Sequence, residues 1–482
     1  MLSSRIARTR LGRGIARPIL QTRARNFQST RASSSTQPGN KTIRYIAIAG
    51  AAIAPGLWWF VTNRGGATSL EGPPTGHLAV EPGPSKDEVS HIISRDAYSL
   101  SVKNVAGVSR YDGAQLASNS PCEDRFMHGK FPSPRDDGSQ WMAWAVFDGH
   151  AGWQTADLLE KQLLPFVRHS LNQVKPAIKE ESTAVEAVEG AIKRAFVSLD
   201  DSIINTASDT SQNGEPLQDK VKKLIPAYAG SCALLSVYDP ATSILYVACT
   251  GDSRAVLGRK GSDGKWEAIP LSVDQTGNNE EEIARLEREH PGEENIVKDG
   301  RVLGLMVSRA FGDGRWKWPL ELQHDLRRRF YAPSPLTPRY DVRTPPYLTA
   351  EPVVTATKID PKTSFLIMAT DGMWDTLSNR QAVDLVAKWL EPAAVGKVDN
   401  KPESANAAFN FGQFRKGVDW RFVEGRTTVQ DDNAAVHLMR NALGGNHHEL
   451  IAGRLAFDSP FSRHLRDDIT VQVVFFAGNG ND

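Results

Sequence analysis

Apolar runs with the character of buried strands end repeatedly on a carboxylate in this chain. Residues 141–147 (WMAWAVF) form a continuous apolar run, the pattern of a strand covered on both faces, and it meets Asp148-Gly149-His150 where a helical pattern begins. Residues 364–370 (SFLIMAT) run into Asp371-Gly372-Met373-Trp374-Asp375, and residues 243–250 (SILYVACT) run into Gly251-Asp252. Asp467-Asp468 stands directly before residues 469–476 (ITVQVVFF). A single Asp-Gly pair is an ordinary turn. Four strand ends marked alike predict carboxylates meeting at one edge of a sheet, a donor set suited to hard, oxygen-ligated cations such as Mg²⁺ or Mn²⁺.

Helical spacing appears between these runs. Leu158, Leu159, Leu163, Phe166 and Val167 share one face across residues 152–171, and Val185, Val188, Ile192, Phe196 and Leu199 do so across 183–204. Both stripes read as core. Residues 98–108 should open the sheets, and residues 230–238 and 243–250 should form a hairpin turned at Asp239-Pro240. Residues 279–290 predict a charged helix, 378–390 a helix opened by a Ser378–Gln381 capping box, and 432–443 another helix. Residues 314–349 read as a long irregular stretch, a functional or disordered loop. Hairpin-paired strands with outer helices favour an α+β fold, two antiparallel sheets flanked by helices, over a parallel doubly wound sheet.

Charge divides the 482 residues unevenly. Residues 1–70 hold eleven of the 57 Lys and Arg and no Asp or Glu, leaving the remainder at 46 − 56 = −10 and arguing against a nucleic-acid surface. Residues 1–36, rich in Arg, Ser and Ala, read as a mitochondrial presequence. The uncharged run 45–61, flanked by Arg44 and Arg64, predicts an anchor in the inner membrane over residues 43–62 or an apolar extension of the presequence. An anchor would place the body in the intermembrane space; a segment passed through or removed would leave it in the matrix. Residues 63–86 are a Gly/Pro-rich linker, and 87–482 read as one domain. Three cysteines, Cys122, Cys232 and Cys249, without a CxxC pair, exclude a disulfide framework and a zinc site of that kind.

The acidic motifs resemble those of the metal-dependent serine/threonine protein phosphatases of type 2C. The matching pieces are Glu123-Asp124, VFDGHAG (146–152), GSCALLSV (230–237), TGDSRAVL (250–257), SRAFGD (308–313), ATDGMWD (369–375) and RDDITVQVV (466–474), in family order. That resemblance implies a central β-sandwich with two Mg²⁺ or Mn²⁺ ions at one end. Asp148 would bridge the ions, the Gly149 carbonyl would complete one shell, and Asp371 and Asp467 would bind the second. Glu123 and Asp124 would act largely through bound water, Asp252 and Asp375 are candidates for a weaker third metal position, and His150 would protonate the leaving oxygen. The family's phosphate-gripping Arg is Asn119 here; Arg125 is the candidate substitute, with a surface salt bridge as its other reading.

HPGEEN (290–295), the Trp-rich sequence after 313, TPPYLTAEP (344–352) and DDNAAVHLMRNALG (431–444) resemble the family branch directed at the pyruvate dehydrogenase complex. The implied substrate is phosphoserine on its E1α subunit, with residues 314–349 as the candidate docking stretch. The rival reading from another class is a catalytically inactive scaffold with this fold. A GNHHE segment (445–449) resembles a motif of other metallophosphatases but lacks its companion, and reads as a surface loop.

Overall fold

The computed structural model describes residues 83–212, 214–359, 363–391 and 421–477, all within one compact unit. The expected presequence, the 43–62 segment and nearly all of the linker lie outside the described residues. Among the described residues no helix is long and apolar enough to cross a membrane.

Two antiparallel sheets form the centre. The first orders Tyr98–Ser101, Val108–Leu116, Ile469–Phe476, Thr363–Ala369, Arg254–Lys260 and Trp266–Pro270; the second orders Val353–Lys358, Ile244–Thr250, Ala233–Asp239, Gln140–Phe147 and Arg125–Pro132. The period of two in the strands explains the layering. From Gln140–Phe147, the side chains of Met142, Trp144 and Val146 enter the interior between the sheets with Leu234, Val247, Leu366 and Val474. Trp141, Ala143, Ala145 and Phe147 point the other way, against Leu159, Leu163, Ile192 and Phe196 of the helices Gln154–Gln173 and Ala184–Gln212. The first sheet does the same on its outer side, where Ile367, Val471 and Val473 pack on Val383 and Val386 of Asn379–Trp389 and on Leu438 of Ala434–Leu443. Continuous apolar runs are therefore required in the central strands, whose two faces are both covered.

The expected helices, the capping box at Ser378 and the antiparallel hairpin are all present. The opening strands are Tyr98–Ser101 and the one that begins at Val108, past Gly107 at φ +82°. One expectation needs correction. Residues 314–349 are not irregular throughout. They carry the helices Gly314–Lys317 and Leu320–Phe330, the second burying Gln323, Leu326 and Phe330. Trp316, Leu336, Val342 and Tyr347 form a small core of their own with Leu286 and Val302. Here the helical period was obscured by its polar member Gln323, which is buried because Nε2 donates to the Trp318 carbonyl and Oε1 accepts from the Leu336 amide.

Candidate active site

Three strand ends converge at one pole of the sandwich. Phe147 pairs with Arg125 in the second sheet, Thr250 pairs with Ala233 in that sheet, and Ala369 pairs with Arg254 and Val471 in the first. The residues that follow, Asp148, Asp252 and Asp371, thereby bring one carboxylate oxygen each to within 4.8 Å of one another. Gly149 lies where the chain of Glu123 crosses: a Cβ there would stand 2.3 Å from the Glu123 carbonyl oxygen, so no side chain fits.

Asp124 is buried behind this group. Its Oδ2 accepts from Thr370 Oγ1 at 2.9 Å and Thr470 Oγ1 at 2.7 Å, which ties the loop of Glu123 to two strands of the first sheet. Asp468 is buried as well, and its carboxylate accepts from the amides of Ser118, Asn119 (2.9 Å) and Glu123 (2.8 Å). It clamps the 118–123 loop, whereas Asp467 pairs with Arg463 and stands outside the group of Asp148, Asp252 and Asp371. Asn119 Nδ2 donates to Asp468 Oδ2 at 3.0 Å and Glu123 Oε2 at 3.3 Å, which places it as a brace for Glu123. Arg125 donates through Nη1 to the carbonyls of Cys122 and Asp124, both at 2.7 Å, and its guanidinium lies near Asp157 and Glu160. Asp375 is exposed at the rim one helical turn after Asp371.

The electrostatics are those of negative charge in excess: His150 and Arg463 oppose the rise at Asp371, but burial outweighs them. Burial, then the neighbouring Asp371 and Asp124 charges, push Asp148 well above the usual carboxylate range, and burial, then Asp371, push Asp252 up to about 7. Asp124 rises through burial and the Asp468 charge, and Asp371 through burial. Carboxylates that crowd in this way are costly unless they share protons or hold a cation. The donor set, oxygens only, fits a divalent hard cation and not a soft one.

His150 stands beside the cluster, and its Nε2 meets Asp313 Oδ2 at 2.6 Å. Burial works against the imidazolium, but Asp313, Asp252 and Glu123 outweigh it and raise the His150 pKa. Gly230 makes this pairing possible, since a Cβ on it would lie 2.1 Å from Nε2 and 2.3 Å from Oδ2. Asp313 is the functional residue the sequence reading missed. It was visible as the last residue of SRAFGD, but nothing in the sequence pairs it with a residue 163 positions earlier. Its segment is fixed from behind: Asp200 accepts from the Gly312 amide at 2.9 Å and from Lys317 Nζ at 2.6 Å, while Lys317 also donates to the Ala310 carbonyl at 2.8 Å.

Comparison with known proteins agrees with this geometry. Residues 113–408 match the family model described as Protein phosphatase 2C. A protein phosphatase 2C homolog of Schizosaccharomyces pombe is 44% identical over 378 residues, spanning 77% of this chain and 81% of that protein. The mitochondrial pyruvate dehydrogenase (acetyl-transferring) phosphatase 1 of Saccharomyces cerevisiae is 36% identical over 428 residues, 82% of this chain and 71% of that one. The human protein of the same name is 31% identical over 471 residues, 81% of this chain and 82% of that one. The α+β sandwich, the acidic pole and these matches together place the chain in the protein phosphatase 2C family, as a protein serine/threonine phosphatase.

Proposed function

We propose that the chain is a mitochondrial phosphatase that removes phosphate from phosphoserine or phosphothreonine, with E1α of the pyruvate dehydrogenase complex as its substrate. The observation that carries the chemistry is the meeting of Asp148, Asp252 and Asp371 beside a histidine with its own carboxylate partner. Asp148, the Gly149 carbonyl, Asp371 and Asp467 would hold two Mg²⁺ or Mn²⁺ ions, with Glu123 and Asp124 behind them and Asp252 and Asp375 towards a third, weaker position. When bound, the ions supply positive charge for the phosphoryl oxygens and acidify a water for in-line attack. His150, whose protonated form Asp313 favours, gives its Nδ1 proton to the departing Ser or Thr oxygen. Asp313 holds the ring by its other nitrogen and fixes the tautomer. Water takes the place of the leaving group on phosphorus, and no phosphoenzyme forms.

The substrate assignment is supported by the names of the yeast and human relatives and by the basic presequence-like N-terminus. Residues 43–62 carry the separate expectation of an anchor, and protease protection of mitoplasts locates the body. Residues 314–349 remain the proposed docking stretch. Deleting them would remove buried Trp316, Lys317 and Tyr347, so exposed positions of Leu320–Phe330 are the better probe. Arg328→Glu, at a side chain 77% exposed, should slow dephosphorylation of the intact complex and spare p-nitrophenyl phosphate. Equal rates on the intact complex for Arg328→Glu and the parent would remove this helix from docking. Failure of the parent protein to hydrolyse a phosphoserine peptide with Mn²⁺, or undiminished hydrolysis in chelator, would end the reading itself.

A further inference from the structure

A phosphate monoester entering an acidic pole needs a cation of its own to bind against, and the arginines nearby are not equally available. Arg125 is spent on two backbone carbonyls and lies over the Trp153 ring at 5.6 Å. Arg254 is forked onto Asp274, donates to Asn379 at 2.9 Å and stacks over Trp374. Arg463 differs. It lies on the short turn Ser462–His464, its side chain is 45% exposed, and its ion pair is with Asp467.

That turn is fixed against the loop that carries Glu123. Ser462 Oγ donates to the Ser118 carbonyl, and Ser118 Oγ donates to the Arg466 carbonyl at 2.8 Å. Asp467 in turn is seated against Gly372, the residue after Asp371, because its Cβ lies 3.2 Å from the point where a side chain on Gly372 would begin. The Arg463 charge reaches the site, for it opposes the effect of burial on both Glu123 and Asp371.

Resting on the phosphatase reading above, we infer that Arg463 is the residue that grips the substrate phosphate, and that Asp467 holds it in reserve until a cation claims that carboxylate. The planar guanidinium can present two N–H donors to two phosphoryl oxygens, a geometry that a lysine cannot copy. Asp467 cannot serve Arg463 and a cation equally, so cation binding frees the fork at the moment the pole becomes able to accept an anion. The two events are thereby coupled, and the coupling is reciprocal.

The two halves of this inference have opposite signs in one variant. Arg463→Ala should weaken competitive inhibition by inorganic phosphate, and raise KM for p-nitrophenyl phosphate, by roughly tenfold or more. Its affinity for Mn²⁺, measured by calorimetry without substrate, should be equal to the parent's or tighter. Arg463→Lys should recover part of the phosphate affinity. Phosphate inhibition within about twofold of the parent would overturn the assignment, as would a parallel loss of Mn²⁺ affinity, which marks a disturbed site and not a missing grip. Should the parent itself hydrolyse nothing, the phosphatase reading fails. Phosphate binding to Mn²⁺-loaded parent and Arg463→Ala, again by calorimetry, then still decides whether Arg463 holds the anion.

Discussion

The molecule buries carboxylates in two ways, and the contrast separates a working site from a strut. At the pole, Asp148, Asp252 and Asp371 face one another, and burial with mutual repulsion drives Asp148 and Asp252 upward. At the helix Glu280–Glu289, Glu282 is buried too, at 3% exposure, but fully answered. Its Oε1 accepts from Arg309 Nε at 2.9 Å and Nη2 at 2.6 Å, and its Oε2 accepts from Arg285 Nε at 3.1 Å and Ser308 Oγ at 2.7 Å. Burial pushes Glu282 up, yet Arg309, Arg285 and Ser308 outweigh it and hold the carboxyl down at about 2. Glu282 is complete within the chain. The pole holds more negative charge than the neighbouring His150 and Arg463 answer, and such excess charge is the physical mark of a site.

The sharpest way to break this contrast is to remove one acid from each region. Asp371→Ala should lower Mn²⁺-dependent turnover of a phosphoserine peptide by roughly 10³-fold, about 4 kcal/mol of transition-state stabilisation. Its thermal midpoint without divalent cation should stay level or rise, since a repulsive neighbour is gone. Unchanged turnover in folded Asp371→Ala protein would remove Asp371 from the site.

Glu282→Gln should behave in the opposite sense. It leaves Arg285 and Arg309 buried with half their partner, at a cost of about 3 kcal/mol in unfolding free energy. Denaturant titration reads this directly, and a loss under about 1 kcal/mol would mean that the network is no stronger than a surface pair. Because Arg309 and Ser308 belong to the segment that ends in Asp313, a smaller loss of turnover should accompany it.

The same contrast explains how far the sequence could be read. Asp148, Asp252 and Asp371 were legible because each follows an apolar run, and a strand buried on both faces declares its own ends. Asp313, Asp468 and Arg463 were not, because their roles arise only across the fold. Asp468 clamps a loop 350 residues away, a role that its place as the second acid of Asp467-Asp468 does not reveal. Arg463 sits four residues before Asp467 on a turn with no apolar period to mark it. The sandwich itself was readable from period and turns, while the helix Leu320–Phe330 was concealed by its buried Gln323.

A third buried titratable group lies away from the pole and has only uncharged hydrogen-bond partners. His437, on Ala434–Leu443, is fully enclosed; its Nε2 meets the Leu385 carbonyl at 3.0 Å and its Nδ1 meets Asn441 Nδ2 at 3.3 Å. A neutral ring with its proton on Nε2 satisfies both, donating to Leu385 and accepting from Asn441. Burial holds the His437 pKa down at about 4, from an ordinary value of 6.5. The unfolded chain therefore takes up a proton first as the pH falls. Stability from the neutral ring is complete above pH 6.5 and is lost progressively towards pH 4. Between pH 6.5 and 5 this amounts to about 2 kcal/mol, the smallest of these effects. Glu282 contributes no slope there, because its own loss begins only below its ordinary pKa of 4.5. Carboxylates of the pole titrate in the same range, so the measurement is the difference in unfolding free energy between the parent and His437→Gln. That difference should shrink as the pH falls from 6.5 to 5. Parallel curves would show that His437 titrates alike in both states, and that burial alone does not set its charge.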